Sequence, residues 1–119
     1  MQIGNLELVQ WLAANGVSLT QPANVGWTPL WAAAYKGHLE LVQWLAGNSA
    51  STTQPANDGT TPLYIAAENG HLDIVQWLAA NGVSTTQPDN RGKTPLEIAR
   101  GHIHTAVADF IVACLTTFV

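Results

Sequence analysis

The chain is poor in cysteine and in charged residues. Its 119 residues include one cysteine, Cys114, so the sequence forms no internal disulfide. An apolar run surrounds Cys114, and we expect its thiol to be a small buried side chain. Lysine and arginine number four against eight aspartates and glutamates, giving a net charge of −4. So few bases form no basic stripe, and we therefore expect no binding to nucleic acid or to an anionic membrane.

Long hydrophobic runs are also missing. The most apolar stretch, residues 106–119, contains Asp109 and two threonines and is too short to span a bilayer. The first residues lack the basic and then apolar pattern of a secretory signal peptide. From these absences we expect an intracellular protein, with the cytoplasm as its default location.

What the sequence does contain is a pattern that returns at a fixed interval. The tripeptide Thr-Pro-Leu occurs at residues 28–30, 61–63 and 94–96, which are evenly spaced. Gly-His-Leu occurs twice and Val-Gln-Trp-Leu three times, and successive copies are separated by the same interval. A fixed period of this length indicates a repeat array, in which each unit buries its apolar face against its neighbours.

The local chemistry predicts two helices and a loop in each repeat. Thr61 is suited to cap a first helix, and Pro62 can begin that helix because its missing N–H is not needed there. Gly70 can adopt the left-handed conformation that ends this helix. Asp73 complements the dipole at the start of a second helix, which Asn-Gly at residues 81–82 should end. The Ser, Thr, Gln and Pro that follow predict a loop or hairpin.

With these motifs the chain resembles the ankyrin-repeat family. The shared signature is Gly-x-Thr-Pro-Leu, then Ala-Ala, then Gly-His-Leu-x-Ile/Leu-Val, and it extends over essentially the whole chain. The resemblance implies an all-α fold, a solenoid of helix-turn-helix-hairpin units that forms a single domain over residues 1–119. We expect one half repeat and then three repeats, at residues 1–23, 24–56, 57–89 and 90–119.

Some positions depart from the pattern. Ser49 stands where Gly82 stands in the next repeat, so we expect Ser49 to be strained or its helix to end early. Thr94-x-x-Glu97 reads as a capping box, so Glu97 should satisfy the start of a helix. In the last repeat Gly101 should lie inside or just past a short first helix. His104 should occupy the position that His38 and His71 hold earlier.

No arrangement of residues predicts catalysis, a cofactor or a metal. His38 and His71 recur in phase at the start of a helix, which indicates a structural role. His102 and His104 are two residues apart, so on a helix they would point in different directions. Only on a loop could these two side chains share a metal ion. We therefore expect a protein that is not an enzyme.

The resemblance also implies a binding surface, because ankyrin repeats bind partner proteins through their hairpin tips and the concave face of their first helices. Four aromatic residues among the matching positions would form a cluster with a rim of mixed charge, as protein interfaces often have. Alternatively, Trp31 and Tyr64 only fill the space between repeats. Trp27 is the strongest candidate, because its equivalents are polar. The expected partner-binding residues are Val25, Trp27, Trp31, Tyr35, Lys36, Asp58, Thr60, Tyr64, Glu68, Asn69, Arg91 and Lys93.

Two further features leave alternatives open. Trp11, Trp44 and Trp77 recur at the repeat spacing, either as packing residues that partly face the convex side or as an aromatic row that binds a ligand. The chain also has apolar ends, which would be covered if copies stacked end to end or dimerised. The residues expected to mediate this self-association are Leu6, Val9 and Leu12, or Phe110, Ile111, Leu115 and Phe118.

Overall fold

The structure is a computed structural model, and it describes residues 28–116. Over this range the chain forms six α-helices and no strand, which confirms the all-α prediction. The helices are α1 Pro29–Lys36, α2 Leu39–Gly47, α3 Pro62–Glu68, α4 Leu72–Ala80, α5 Pro95–Gly101 and α6 Thr105–Thr116. The half repeat expected at residues 1–23 lies outside the described residues, and the boundaries between repeats stay a prediction.

Helices α1, α3 and α5 begin in the same way, as the Thr-Pro-Leu motif predicts. Each is preceded by a threonine whose hydroxyl accepts a hydrogen bond from the backbone N–H three residues later. At α5 the carboxylate of Glu97 also accepts from the backbone N–H of Thr94, at 3.0 Å. This reciprocal pair confirms the predicted capping box.

The turn between the two helices of a repeat needs a left-handed residue. Gly37 and Gly70 supply it with φ of 81° and 75°. In the third repeat Gly101 lies inside α5, and Ile103 takes the left-handed position with φ of 59°. His104 directly precedes α6, as expected from its alignment with the earlier histidines.

The ends of the second helices differ from one repeat to the next. Beyond α4 the chain turns at Gly82, with φ of 85°. Beyond α2 the corresponding residue is Ser49, with φ of 76°, so the strain predicted at this position is confirmed. Helix α6 has no glycine at this position and runs to Thr116, for 12 residues against nine in α4.

The six helices lie in two layers. The inner layer is α1, α3 and α5, packed side by side in chain order, and the outer layer is α2, α4 and α6. Ala33, Ala66 and Ala99, which occupy equivalent positions in successive repeats, are fully buried, and their small side chains let the inner helices approach closely. Leu45, Leu78 and Ile111 are buried on the outer layer. In the described residues, the apolar faces of the first two repeats are thus covered by the repeat that follows, as the sequence period predicts.

The prediction that Cys114 is buried is wrong. Cys114 lies near the end of α6 and is only partly buried. Together with Leu115 it lines a shallow groove whose other wall is the loop at residues 82–86. The neighbour of α6 at this point is a loop and not a helix, so the Cys114 side chain is only partly enclosed.

Between residues 28 and 116, no helix combines the length and the apolar character needed to cross a membrane.

Candidate partner-binding surface

The exposed end of α1 carries an aromatic and cationic patch. The Tyr35 side chain is 45% exposed, and its ring stacks on Trp31 with ring centroids 5.7 Å apart and planes 23° from parallel. The Lys36 ammonium lies 5.8 Å from the centroid of the Tyr35 ring, within the range of a cation–π interaction. These three side chains therefore form one continuous surface, which we call the α1 patch.

Trp31 contributes to the α1 patch and also joins two repeats. Its indole Nε1–H donates to the backbone carbonyl of Thr60 at 3.1 Å, with the Thr60 hydroxyl at 3.3 Å. Trp31 is partly buried as a result. The alternative interpretation, that this residue fills the space between repeats, is therefore correct for most of its ring, while the ring still supports Tyr35.

Tyr64, one repeat further along, is not available to a partner. Its side chain is 1% exposed, and its hydroxyl donates a hydrogen bond to the Asp89 carboxylate at 2.9 Å. Burial, and then the hydrogen bond and negative charge of Asp89, raise the pKa of Tyr64 to about 12. The prediction that Tyr64 anchors a partner is wrong, because its ring is buried in the core and its hydroxyl is already bonded to Asp89.

Asp89 is the buried acid that the sequence analysis did not single out. Its carboxylate accepts hydrogen bonds from Tyr64, from the Arg91 guanidinium at 2.9 Å, and from the backbone N–H groups of Arg91 and Lys93. Burial by itself raises the pKa of Asp89. The hydrogen bonds from Arg91, Lys93 and Tyr64 outweigh burial and hold that pKa well below its ordinary value. A signal was present, because the equivalent residue one repeat earlier is Ala56.

The two described hairpins stack directly on each other. The backbone N–H of Asn90 donates to the carbonyl of Asp58 at 3.0 Å, and the Asn90 amide donates to the carbonyl of Asn57 at 3.0 Å. Thr60 is buried in this stack, and its hydroxyl donates to the Asp58 carboxylate at 2.6 Å. The prediction that Thr60 meets a partner is therefore wrong, because its side chain is enclosed and already bonded.

Asp58, Arg91 and Lys93 remain exposed at the hairpin tips, as expected of surface residues. The Arg91 side chain keeps its ion pair with Asp89 and is still 72% exposed. The tips of the stacked hairpins therefore present one acid on the second repeat and two bases on the third.

Polar side chains continue the surface beyond the ends of α3 and α5. Asn69 is exposed and Glu68 partly buried, with the Glu68 carboxylate 3.6 Å from His102 Nε2. The rings of His102 and His104 lie nearly parallel, with centroids 6.1 Å apart. His102 was missed as a surface residue, although it stands one full repeat after Asn69. No cluster of three metal-ligating side chains occurs among residues 28–116.

The outer layer carries the remaining predicted aromatic residues. Trp44 on α2 is 49% exposed, whereas Trp77 on α4 is partly buried and packs against the core. The packing interpretation therefore fits Trp77 better than Trp44. Val25, Trp27 and Trp11 lie outside the described residues.

Comparison with known families adds to this geometry. The family model for ankyrin repeats, in three copies, matches residues 1–89 and 47–116 of the chain. The chain belongs to the ankyrin-repeat family. No curated protein matches it with significant similarity. Ankyrin repeats are generally protein–protein interaction modules and are typically non-catalytic scaffolds.

Proposed function

We propose that this ankyrin-repeat protein binds a partner protein or an extended peptide along its inner helices and hairpin tips. The observation that carries the proposal is the α1 patch, in which Tyr35 is exposed while stacking on Trp31 holds its ring in place. An exposed aromatic ring that is already ordered costs little entropy on binding, and such residues often dominate the affinity of an interface. Val25 and Trp27 belong to the proposed surface on the sequence pattern alone.

The distribution of charge supports the same surface. All four bases of the chain lie on inner helices or hairpins: Lys36, Arg91, Lys93 and Arg100. The outer helices α2, α4 and α6 contain Glu40, Asp73 and Asp109 and no lysine or arginine. Opposite charges across an interface mainly raise the association rate and select the partner. Because Asp58 and Glu68 lie among the bases, the proposed partner carries charges of both signs.

The test is the affinity for a partner recovered by pull-down, measured by isothermal titration calorimetry. We expect Tyr35→Ala to weaken binding by about 30-fold, the effect of losing a hot-spot side chain worth about 2 kcal/mol. Trp44→Ala is the matched control, since it removes another exposed aromatic residue from the opposite layer, and it should leave the affinity unchanged. Equal losses from both variants, or no loss from Tyr35→Ala, would refute the proposed surface.

The same proposal has two further parts. The protein is not an enzyme, and its location is intracellular and cytoplasmic. Both rest on the family's usual role and on the sequence features described above. A direct check of the location is fluorescence microscopy of the tagged chain.

Self-association is a second candidate function, favoured by the exposed apolar side chains of the last repeat. Leu115 is 48% exposed and Phe110 is partly exposed on α6. Ile111 is fully buried, so the prediction that it contributes to such a contact is wrong. Leu6, Val9, Leu12 and Phe118 lie outside the described residues. Sedimentation over a range of concentrations tests this candidate, and a strict monomer would eliminate it.

A further inference from the structure

The two described junctions between repeats share one close contact. The imidazole of His71 lies against Gly37 of the preceding repeat, and the imidazole of His104 lies against Gly70. A Cβ atom built on either glycine would come within 2.7 Å of the ring, a separation that real Cβ atoms essentially never show. His71 Nε2 is also 3.0 Å from the Tyr35 carbonyl oxygen. Each imidazole therefore occupies the space that a Cβ atom on the glycine would need.

Ile103 occupies this glycine position in the third repeat. It stands one full repeat after Gly70, and its φ of 59° lies in the same left-handed region. Its side chain is 80% exposed. The direction of a Cβ atom is fixed by the backbone, so no change of rotamer can move it out of the space where a following imidazole would sit.

The end of α6 also differs from the end of α4, the corresponding helix of the preceding repeat. Gly82 turns the chain from α4 into the loop that leads to the next hairpin. Leu115 stands at the equivalent position in the third repeat, and α6 continues through it to Thr116. Within the described residues, the chain therefore does not make at Leu115 the turn that it makes at Gly82.

We propose that Ile103 closes this end of the stack to a further repeat that bears a histidine at the position of His71 and His104. Such a repeat cannot seat on α5 and α6 in the geometry of the two described junctions. This inference goes beyond the proposed binding function.

The test uses two extended chains, each longer than the natural chain by one repeat. The first inserts a second copy of residues 57–89 after residue 89, so that every described junction pairs glycine with histidine. The second joins residues 1–114 to residues 82–119, so that a new His104 faces the inner Ile103. A third chain is the second one with Ile103→Gly at the inner copy.

The readout is urea unfolding followed by circular dichroism. The first chain should unfold in one transition with an m-value about a quarter larger than that of the natural chain, because m scales with the surface exposed on unfolding. The second should keep the natural m-value and lose the helix of its added repeat at lower urea. Ile103→Gly should restore the single transition with the larger m-value.

Two outcomes would overturn the proposal. One is that the second chain unfolds like the first, and the other is that the glycine version fails to fold while the first chain folds. Ile103→Gly in the natural chain controls for relief of backbone strain alone. It should raise the transition midpoint without raising the m-value.

Discussion

Ser49 and Gly82 show how much one backbone conformation matters in this chain. They stand at equivalent positions after α2 and α4, with φ of 76° and 85°, and only one of them is a glycine. A left-handed conformation costs a non-glycine residue of order 1 kcal/mol, since its Cβ crowds the backbone.

Ser49→Gly should therefore raise the free energy of unfolding by about 1 kcal/mol. The reciprocal control, Gly82→Ser, should lower it by a similar amount. Urea unfolding of both variants measures these two changes in the free energy of unfolding. If Ser49→Gly destabilises the protein, the strain that we assign to Ser49 does not exist.

Asp89 makes stability depend on pH. Its pKa is lower in the folded protein than in the unfolded chain, where an aspartate titrates near pH 4. The charged carboxylate therefore favours folding above about pH 4, and this contribution is lost as the pH falls toward the folded-state pKa. Arg91 is a local partner, two residues from Asp89, but the sequence could not show Tyr64 as a partner because it lies 25 residues away.

We expect Asp89→Asn to be less stable than the natural chain at pH 7, with a difference that shrinks as the pH is lowered to 3. Asp109→Asn, which changes an exposed carboxylate on α6, is the control and should show little difference at either pH. Urea unfolding at the two values of pH gives both comparisons. A difference that grows in acid would contradict the role given to Asp89.

At the scale of the helix, replacing either of two glycines in one repeat by alanine should change the free energy of unfolding in opposite directions. Gly47 lies in the last turn of α2, and nothing lies within 4 Å of a Cβ built on it. Gly37 is left-handed, and a Cβ there would meet the His71 ring. The two positions thus separate helix propensity from stacking between repeats.

Gly47→Ala should raise the free energy of unfolding by about 0.5–1 kcal/mol, because alanine loses less conformational freedom in a helix. Gly37→Ala should lower the free energy of unfolding by more than that, through strain and through displacement of the imidazole. Thermal unfolding of both variants tests the two predicted changes in stability. Stabilisation by Gly37→Ala would show that the ring does not depend on that contact.

The helices were predictable because their signals are local. Thr61 and Pro62 begin α3, and Thr94 with Glu97 begins α5, using contacts that span no more than three residues. Local signals left Tyr64 open between anchoring a partner and filling the space between repeats, because its partner Asp89 lies 25 residues later in the chain. Among the residues predicted to face a partner, Tyr35 and Lys36 are exposed, whereas Thr60 and Tyr64 are enclosed.

In the molecule as a whole, neighbouring repeats stabilise one another. The inner helices pack mainly on the inner helices of adjacent repeats and on the outer helix of their own repeat, and the hairpins bond across repeats. In such an array the stability of each unit includes the interfaces with its neighbours. Loss of one junction should then weaken the repeats on both sides of it.

The most direct test is NMR of the alanine methyl groups during urea unfolding. Ala33, Ala66 and Ala99 are fully buried at equivalent positions, so each methyl reports on one repeat. We expect the three folded signals to disappear at one common urea concentration. Three well-separated midpoints would contradict the account, because they would show repeats that fold without the support of their neighbours.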